Sequence, residues 1–160
     1  MTIKTGDTIP SATLYVMTDN GPQAISTDEL FKGKKVALFG LPGAFTPTCS
    51  AQHVPGFLAN AKDLSAKGID SIICLSVNDA FVMGAWGKDQ GVGETIIMAS
   101  DGSAELTKAM GLELDLTARG MGVRCDRFSM VVDDGVVLSL NHEAPGEYLV
   151  SSAETMLGQL

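Results

Sequence analysis

Val36-Ala37-Leu38-Phe39-Gly40-Leu41 runs directly into Pro42-Gly43-Ala44-Phe45-Thr46-Pro47-Thr48-Cys49-Ser50. The first six residues form a short, continuous apolar run, as expected of a strand buried on both faces. The proline- and glycine-containing stretch after it reads as a loop. Beyond Cys49 the residues Phe57, Leu58, Ala61 and Leu64 recur at helical spacing as far as Gly68, with Pro55 inside as a point of kinking or restart. Cys49 therefore stands at a strand-to-helix junction. Unpaired N–H groups and the helix dipole favour an anion there, and the thiolate is the reactive form of cysteine. Thr46, three residues upstream, can point a hydroxyl at the same sulfur.

Outward from that stretch, strands alternate with helices. Thr13 to Val16 and Gln23 to Ile25 read as two short strands, and Ser26-x-x-Glu29 as a capping box before a helix with Leu30 and Phe31. Ile69 to Val77 is a second buried strand. Asn78-Asp79 then caps a helix whose inner face is read as Phe81, Val82, Ala85 and Trp86, ending near Gly91. Ile96 to Ala99 suggests a strand, and Leu106, Ala109 and Met110 a helix stopped by Gly111. Phe128 to Val132 and Val136 to Leu140 bracket Asp133-Asp134-Gly135, a hairpin signal. Ser151-x-x-Glu154 opens a closing helix with Ala153, Met156, Leu157 and Leu160 on one face. The fold class expected from this order is α/β, a mixed central sheet with helices on both faces.

The 160 residues suit one domain spanning 1–160, since about 100–200 residues per domain is usual. A net charge of −8 and an isoelectric point near 4.5 argue against non-specific binding to nucleic acid or anionic lipid. Apolar runs break well before about 18 residues, so no membrane span is expected, and the polar start Met1-Thr2-Ile3-Lys4 does not read as a cleaved signal. Cys49, Cys74 and Cys125 are odd in number and widely spaced, which suits a reducing, cytoplasmic setting. With only His53 and His142 and no Cys-x-x-Cys pair, no metal site is expected.

The pattern Pro42-x3-Thr46-x2-Cys49 resembles the active-site loop of the peroxiredoxins, and the wording around it is similar to their type II, or peroxiredoxin 5, branch. The resemblance runs from Gly6-Asp7 to Gln159-Leu160. It implies a thioredoxin-like fold and a thiol peroxidase without cofactor. Cys49 would be the peroxidatic nucleophile, attacking the O–O bond of hydrogen peroxide or alkyl hydroperoxides and becoming a sulfenic acid. It also implies a homodimer with the active-site loops near the contact.

The resemblance gives the remaining site residues their expected roles. The arginine of the family's active site stands just before the Phe-Ser-Met-Val-Val strand, which places it at Arg127; Arg124 is a second candidate. Thr46 would hydrogen-bond sulfur and peroxide together, and Pro42 would shield the sulfur. His53, four residues after Cys49, matches a family histidine and is read as structural or as a dimer contact. Phe45 could line the mouth or a partner surface, whereas Phe81 and Trp86 are read as core. Animal members carry a resolving cysteine where this chain has Leu149-Val150-Ser151-Ser152. Plant type II members have a cysteine at the place of Cys74, which an inner strand would bury. Cys125, two residues from Arg127, is read as the nearer of the two to the site. Neither is assigned a resolving role, so the reductant would be glutathione with glutaredoxin, or else thioredoxin. Two other readings exist: a redox sensor using Cys49 without turnover, and a disulfide reductase, which the missing Cys-x-x-Cys weakens.

Overall fold

The apolar run that opens the argument is the third strand of a mixed sheet. In the computed structural model, which describes residues 1–160, the strands in chain order are β1 (Thr13–Thr18), β2 (Gly21–Ser26), β3 (Lys35–Gly40), β4 (Ser71–Ser76), β5 (Ile97–Ser100), β6 (Glu113–Leu116), β7 (Gly122–Cys125), β8 (Phe128–Asp133) and β9 (Val136–His142). The helices are α1 (Thr27–Phe31), α2 (Val54–Ala59), α3 (Ala61–Ala66), α4 (Ala80–Gln90), α5 (Glu105–Ala109) and α6 (Ala153–Gln159). Seven strands lie in the order β2-β1-β5-β4-β3-β8-β9. β3 pairs parallel with β4 and antiparallel with β8. The expected α/β class, a mixed thioredoxin-like sheet covered on both faces, is the fold observed.

Alternation along the strands sorts the core into two layers. Val36 and Leu38 of β3, Ile73 and Leu75 of β4 and Phe128, Met130 and Val132 of β8 face α1 and α5. Ala37 and Phe39 of β3, Ile72 and Cys74 of β4 and Val131 of β8 face α2, α3, α4 and α6. Local chemistry closes the turns. Asp134 and Gly135, both at positive φ, join β8 to β9 as a type I′ hairpin needs. Ser26 caps α1 by accepting from Glu29 N–H, and Gly91 ends α4 in the left-handed conformation.

Two local expectations are corrected, and one small sheet is added. The inner face of α4 is Ala80, Met83, Trp86 and Gly87, whereas Phe81 is 67% exposed. With Asp79 as the cap, accepting from Val82 N–H, Ala80 falls on the buried stripe and Phe81 off it. α6 is capped by Ser152, which accepts from Thr155 N–H, and not by Ser151, whose hydroxyl is bound elsewhere. A two-stranded sheet of β6 and β7, joined through a 3₁₀ turn at Thr117–Arg119, was not anticipated; it holds Arg124 and Cys125.

Candidate active site

The register of the sheet assembles the site. β3 leads from Gly40 into the loop before Cys49, and Gly40 is paired with Phe128 at the start of β8. Because β8 runs antiparallel, its entering residue Arg127 arrives beside the exit of β3. β9 pairs His142 with Phe128, so Glu143 lies next to Arg127, and its N–H donates to the Arg127 carbonyl at 3.0 Å.

Pro47 and Thr48 begin the helix, so Cys49 occupies its first turn, as the sequence suggested. That turn is wide. Cys49–His53 is π-helical, with Val54 N–H donating to the Cys49 carbonyl. Pro55 has no N–H to continue the ladder, and the α-helix restarts at Val54. Trp86, fully buried in α4, pins the turn by donating its indole N–H to Ser50 Oγ at 3.0 Å.

The preceding loop is fastened on both sides. Ala44 N–H donates to Asn78 Oδ1 at 3.0 Å, a role for Asn78 in place of helix capping. Phe45 takes a positive φ of 64°, uncommon for its type, and is 54% exposed. The fold-back lets Thr46 Oγ1 donate to the Gly43 carbonyl at 2.7 Å. That hydroxyl proton is therefore not aimed at the sulfur, and the oxygen keeps its lone pairs for another donor. Arg124 does not reach Cys49; its Nε donates to Met121 O at 2.8 Å and its guanidinium to Pro42 O at 3.3 Å. A methyl on Gly43 would come within 2.7 Å of that guanidinium, which would have to shift to make room.

Arg127 makes the direct contact. Its guanidinium donates to Cys49 Sγ at 3.2 Å through Nη2, and through Nη1 to His53 Nδ1 at 2.9 Å. A guanidinium has only donors, so Nδ1 must be the unprotonated nitrogen and Nε2 carries the hydrogen. Nε2–H accordingly donates to the Ser151 carbonyl at 3.0 Å. Burial first, and then the Arg127 charge, push His53 down to about 3, so the ring is neutral. His53 is fully buried beside Phe39, Phe57 and Tyr148, which fits the structural of its two expected roles and not a dimer contact. The Tyr148 ring also lies 5.8 Å from the Arg127 guanidinium carbon.

The other two thiols stand apart. Cys74 shares the packed layer that holds Cys49, while Cys125 lies in the opposite layer, near Gly40 and Phe128. This runs against the expectation that Cys125 is the nearer: Cys125 packs with Phe128 in the layer opposite the one that holds Cys49 and Cys74. Both are fully buried, and burial pushes both thiols up. A cleft of about 560 Å³ opens at the site, lined by Pro42, Thr46 and Arg127 together with Leu116, Arg119 and Pro145. No group of three or more His, Cys, Asp or Glu side chains could hold a metal ion. Tyr148 and Glu143 were not singled out from sequence, and Asn78 and Ser151 only as helix caps, since nothing local marks them for the site.

Comparison with known proteins gives consistent matches. The Redoxin family model matches residues 4–157. Peroxiredoxin-2B of Arabidopsis thaliana is 50% identical over 159 residues, covering 99% of this chain and 98% of the relative. Reduced Prx3 of Vibrio vulnificus, solved in complex with H2O2, is 52% identical with a TM-score of 0.94, covering 98% of each chain. Peroxiredoxin 5 of Alvinella pompejana is 33% identical with a TM-score of 0.86, covering 97% of this chain and 96% of its own.

Proposed function

This chain belongs to the peroxiredoxins of the redoxin family and is a thiol peroxidase, and we propose that it reduces hydrogen peroxide and organic hydroperoxides through a sulfenic acid on Cys49. The observation that carries the assignment of the residue is the Arg127 guanidinium 3.2 Å from a buried sulfur in the first turn of a helix. A fixed cation beside the sulfur and the N-terminal end of the helix both stabilise negative charge during attack. The thiolate attacks one peroxide oxygen. An S–O bond forms, the O–O bond breaks, and the departing oxygen takes a proton to leave as water or alcohol. Thr46, its own proton spent on Gly43, offers lone pairs to the peroxide O–H. The remaining N–H groups of Arg127 meet charge as it builds on the departing oxygen, where preorganised donors act most strongly. Pro42 lines the same cleft as Thr46 and Arg127, where its ring limits access of solvent to the loop before Cys49.

The sulfenic acid is regenerated by an outside thiol, glutathione with glutaredoxin or else thioredoxin. Supporting this is the burial of Cys74 and Cys125, whose thiols burial also pushes up. Glutathione condenses with the sulfenic acid, releasing water and leaving a mixed disulfide that a second thiol attacks. The assembly is a homodimer in a cytoplasmic setting. Cys49→Ser is expected to abolish peroxide consumption. One equivalent of peroxide followed by glutathione should give a Cys49 adduct heavier by one glutathione in the mass spectrum. Continued turnover by Cys49→Ser would reject the peroxidase site, and a stoichiometric Cys49–Cys74 link formed within one chain would reject the outside thiol.

A further inference from the structure

We propose that Glu143 is a positioning residue for the Cys49 site, fixing the Ser151 carbonyl that sets the His53 tautomer and so holds Arg127 against the sulfur. The inference rests on the reading of Cys49 and Arg127 given above.

Glu143 is only 3% exposed, yet no cation faces it. Its carboxylate is wrapped by the chain that follows. Leu149 N–H donates to its two oxygens at 3.0 and 2.9 Å, and Val150 N–H and Ser151 N–H each donate to Oε2 at 2.8 Å. Ser151 Oγ adds a donor at 2.7 Å. Burial works against the charge of Glu143, but these donors outweigh it and hold the carboxyl below its usual range. Every contact on it is a donor, so an amide nitrogen placed there would face N–H groups.

Besides this carboxylate, the segment is anchored by the Tyr148 ring against His53. Ala144, Pro145, Gly146, Glu147, Leu149 and Val150 are all exposed. The carboxylate is therefore what sets where Ser151 presents its carbonyl. That carbonyl takes the His53 Nε2 hydrogen, which leaves the Nδ1 lone pair for Arg127. The opposite tautomer would set an N–H against an N–H and push the guanidinium away from Cys49. The β9 register adds a second hold, since Glu143 N–H also grips the Arg127 carbonyl. The charged and titratable groups around His53 are Arg127 from the start of β8, Glu143 from the end of β9, Tyr148 from the wrapped segment and Cys49 from the same turn.

A double-mutant cycle separates positioning from bulk structure. The rate constant of Cys49 oxidation by hydrogen peroxide is read by stopped-flow fluorescence of Trp86 in wild type, Glu143→Gln, Arg127→Gln and the double variant. Glu143→Gln is expected to slow the step by about 10- to 100-fold, the scale of a small misplacement of a reacting group. In the Arg127→Gln background the same change should cost less than about twofold, because the group it positions is gone. Equal losses in both backgrounds, or no loss in either, would overturn the proposal. An Arg127→Gln protein as fast as wild type would instead overturn the role given to Arg127, on which the proposal rests. Should Glu143→Gln not fold, Ser151→Ala, which deletes one donor and keeps the carbonyl, carries the same cycle with a smaller expected effect. The wild-type protein gives an independent readout. Histidine ¹⁵N NMR at pH 7, assigned with His53→Gln, should find His53 protonated on Nε2 alone, and a ring protonated on Nδ1 would refute the tautomer argument.

Discussion

Replacing His53 by glutamine should remove a defined part of the acid sensitivity of the fold. His53 is fully buried and held neutral, its titration displaced from 6.5 to about 3 by burial and then by the Arg127 charge. In the unfolded chain it titrates near 6.5, so between these values the unfolded state binds the proton and the folded state does not. Stability rises with pH wherever the unfolded state binds more protons. The contribution of His53 is thus present above 6.5 and lost as pH falls toward 3. Each unit of separation is worth about 1.4 kcal/mol. Between pH 7 and pH 5, where only the unfolded histidine gains its proton, the loss integrates to about 2 kcal/mol. Urea unfolding at a series of pH values measures it. The stability of the wild type should fall by about 2 kcal/mol more than that of His53→Gln across this window. The carboxylates respond alike in both proteins and cancel in the comparison. Parallel stability curves would refute the reasoning, since they would mean that His53 takes up its proton in the fold as easily as in water.

The two arginines should separate cleanly. Arg127→Gln is expected to slow Cys49 oxidation by about 10²–10³-fold, the usual cost of a lost transition-state donor, and Thr46→Val to slow it by a similar order. Arg124→Gln, which loosens only contacts to loop carbonyls, should cost less than about tenfold; the reverse order in stopped-flow rates would show that the wrong arginine had been assigned. Gly40→Ala would drive a methyl into the Phe128 ring and to 2.9 Å from Cys125 Sγ, so thermal or urea unfolding should show a loss of at least about 1–3 kcal/mol.

Fold class and the identity of the thiol were legible because they rest on short-range patterns. A continuous apolar run at Val36–Leu41, a proline-bounded loop and a helical period beyond it define a strand, a turn and a helix without reference to the rest of the chain. The Asp134-Gly135 turn announced the hairpin for the same reason, since its backbone requires residues that tolerate positive φ. Phe81 was misplaced by a single register step: helical periodicity names a stripe, but the capping residue fixes where the stripe begins.

What the chain determined by itself was therefore each local conformation and the chemistry available at Cys49. Tertiary structure alone decided what surrounds that sulfur. Arg127 reaches it because β8 runs antiparallel to β3, and Cys125 does not because it packs with Phe128 in the far layer. Glu143 and Ser151 stand 94 and 102 residues beyond Cys49 (143 − 49 and 151 − 49), and only the pairing of β9 with β8 brings them to it. Strand register is a long-range choice made by burial of whole faces. No local pattern encodes it, and the network around the sulfur comes into being only when the sheet does.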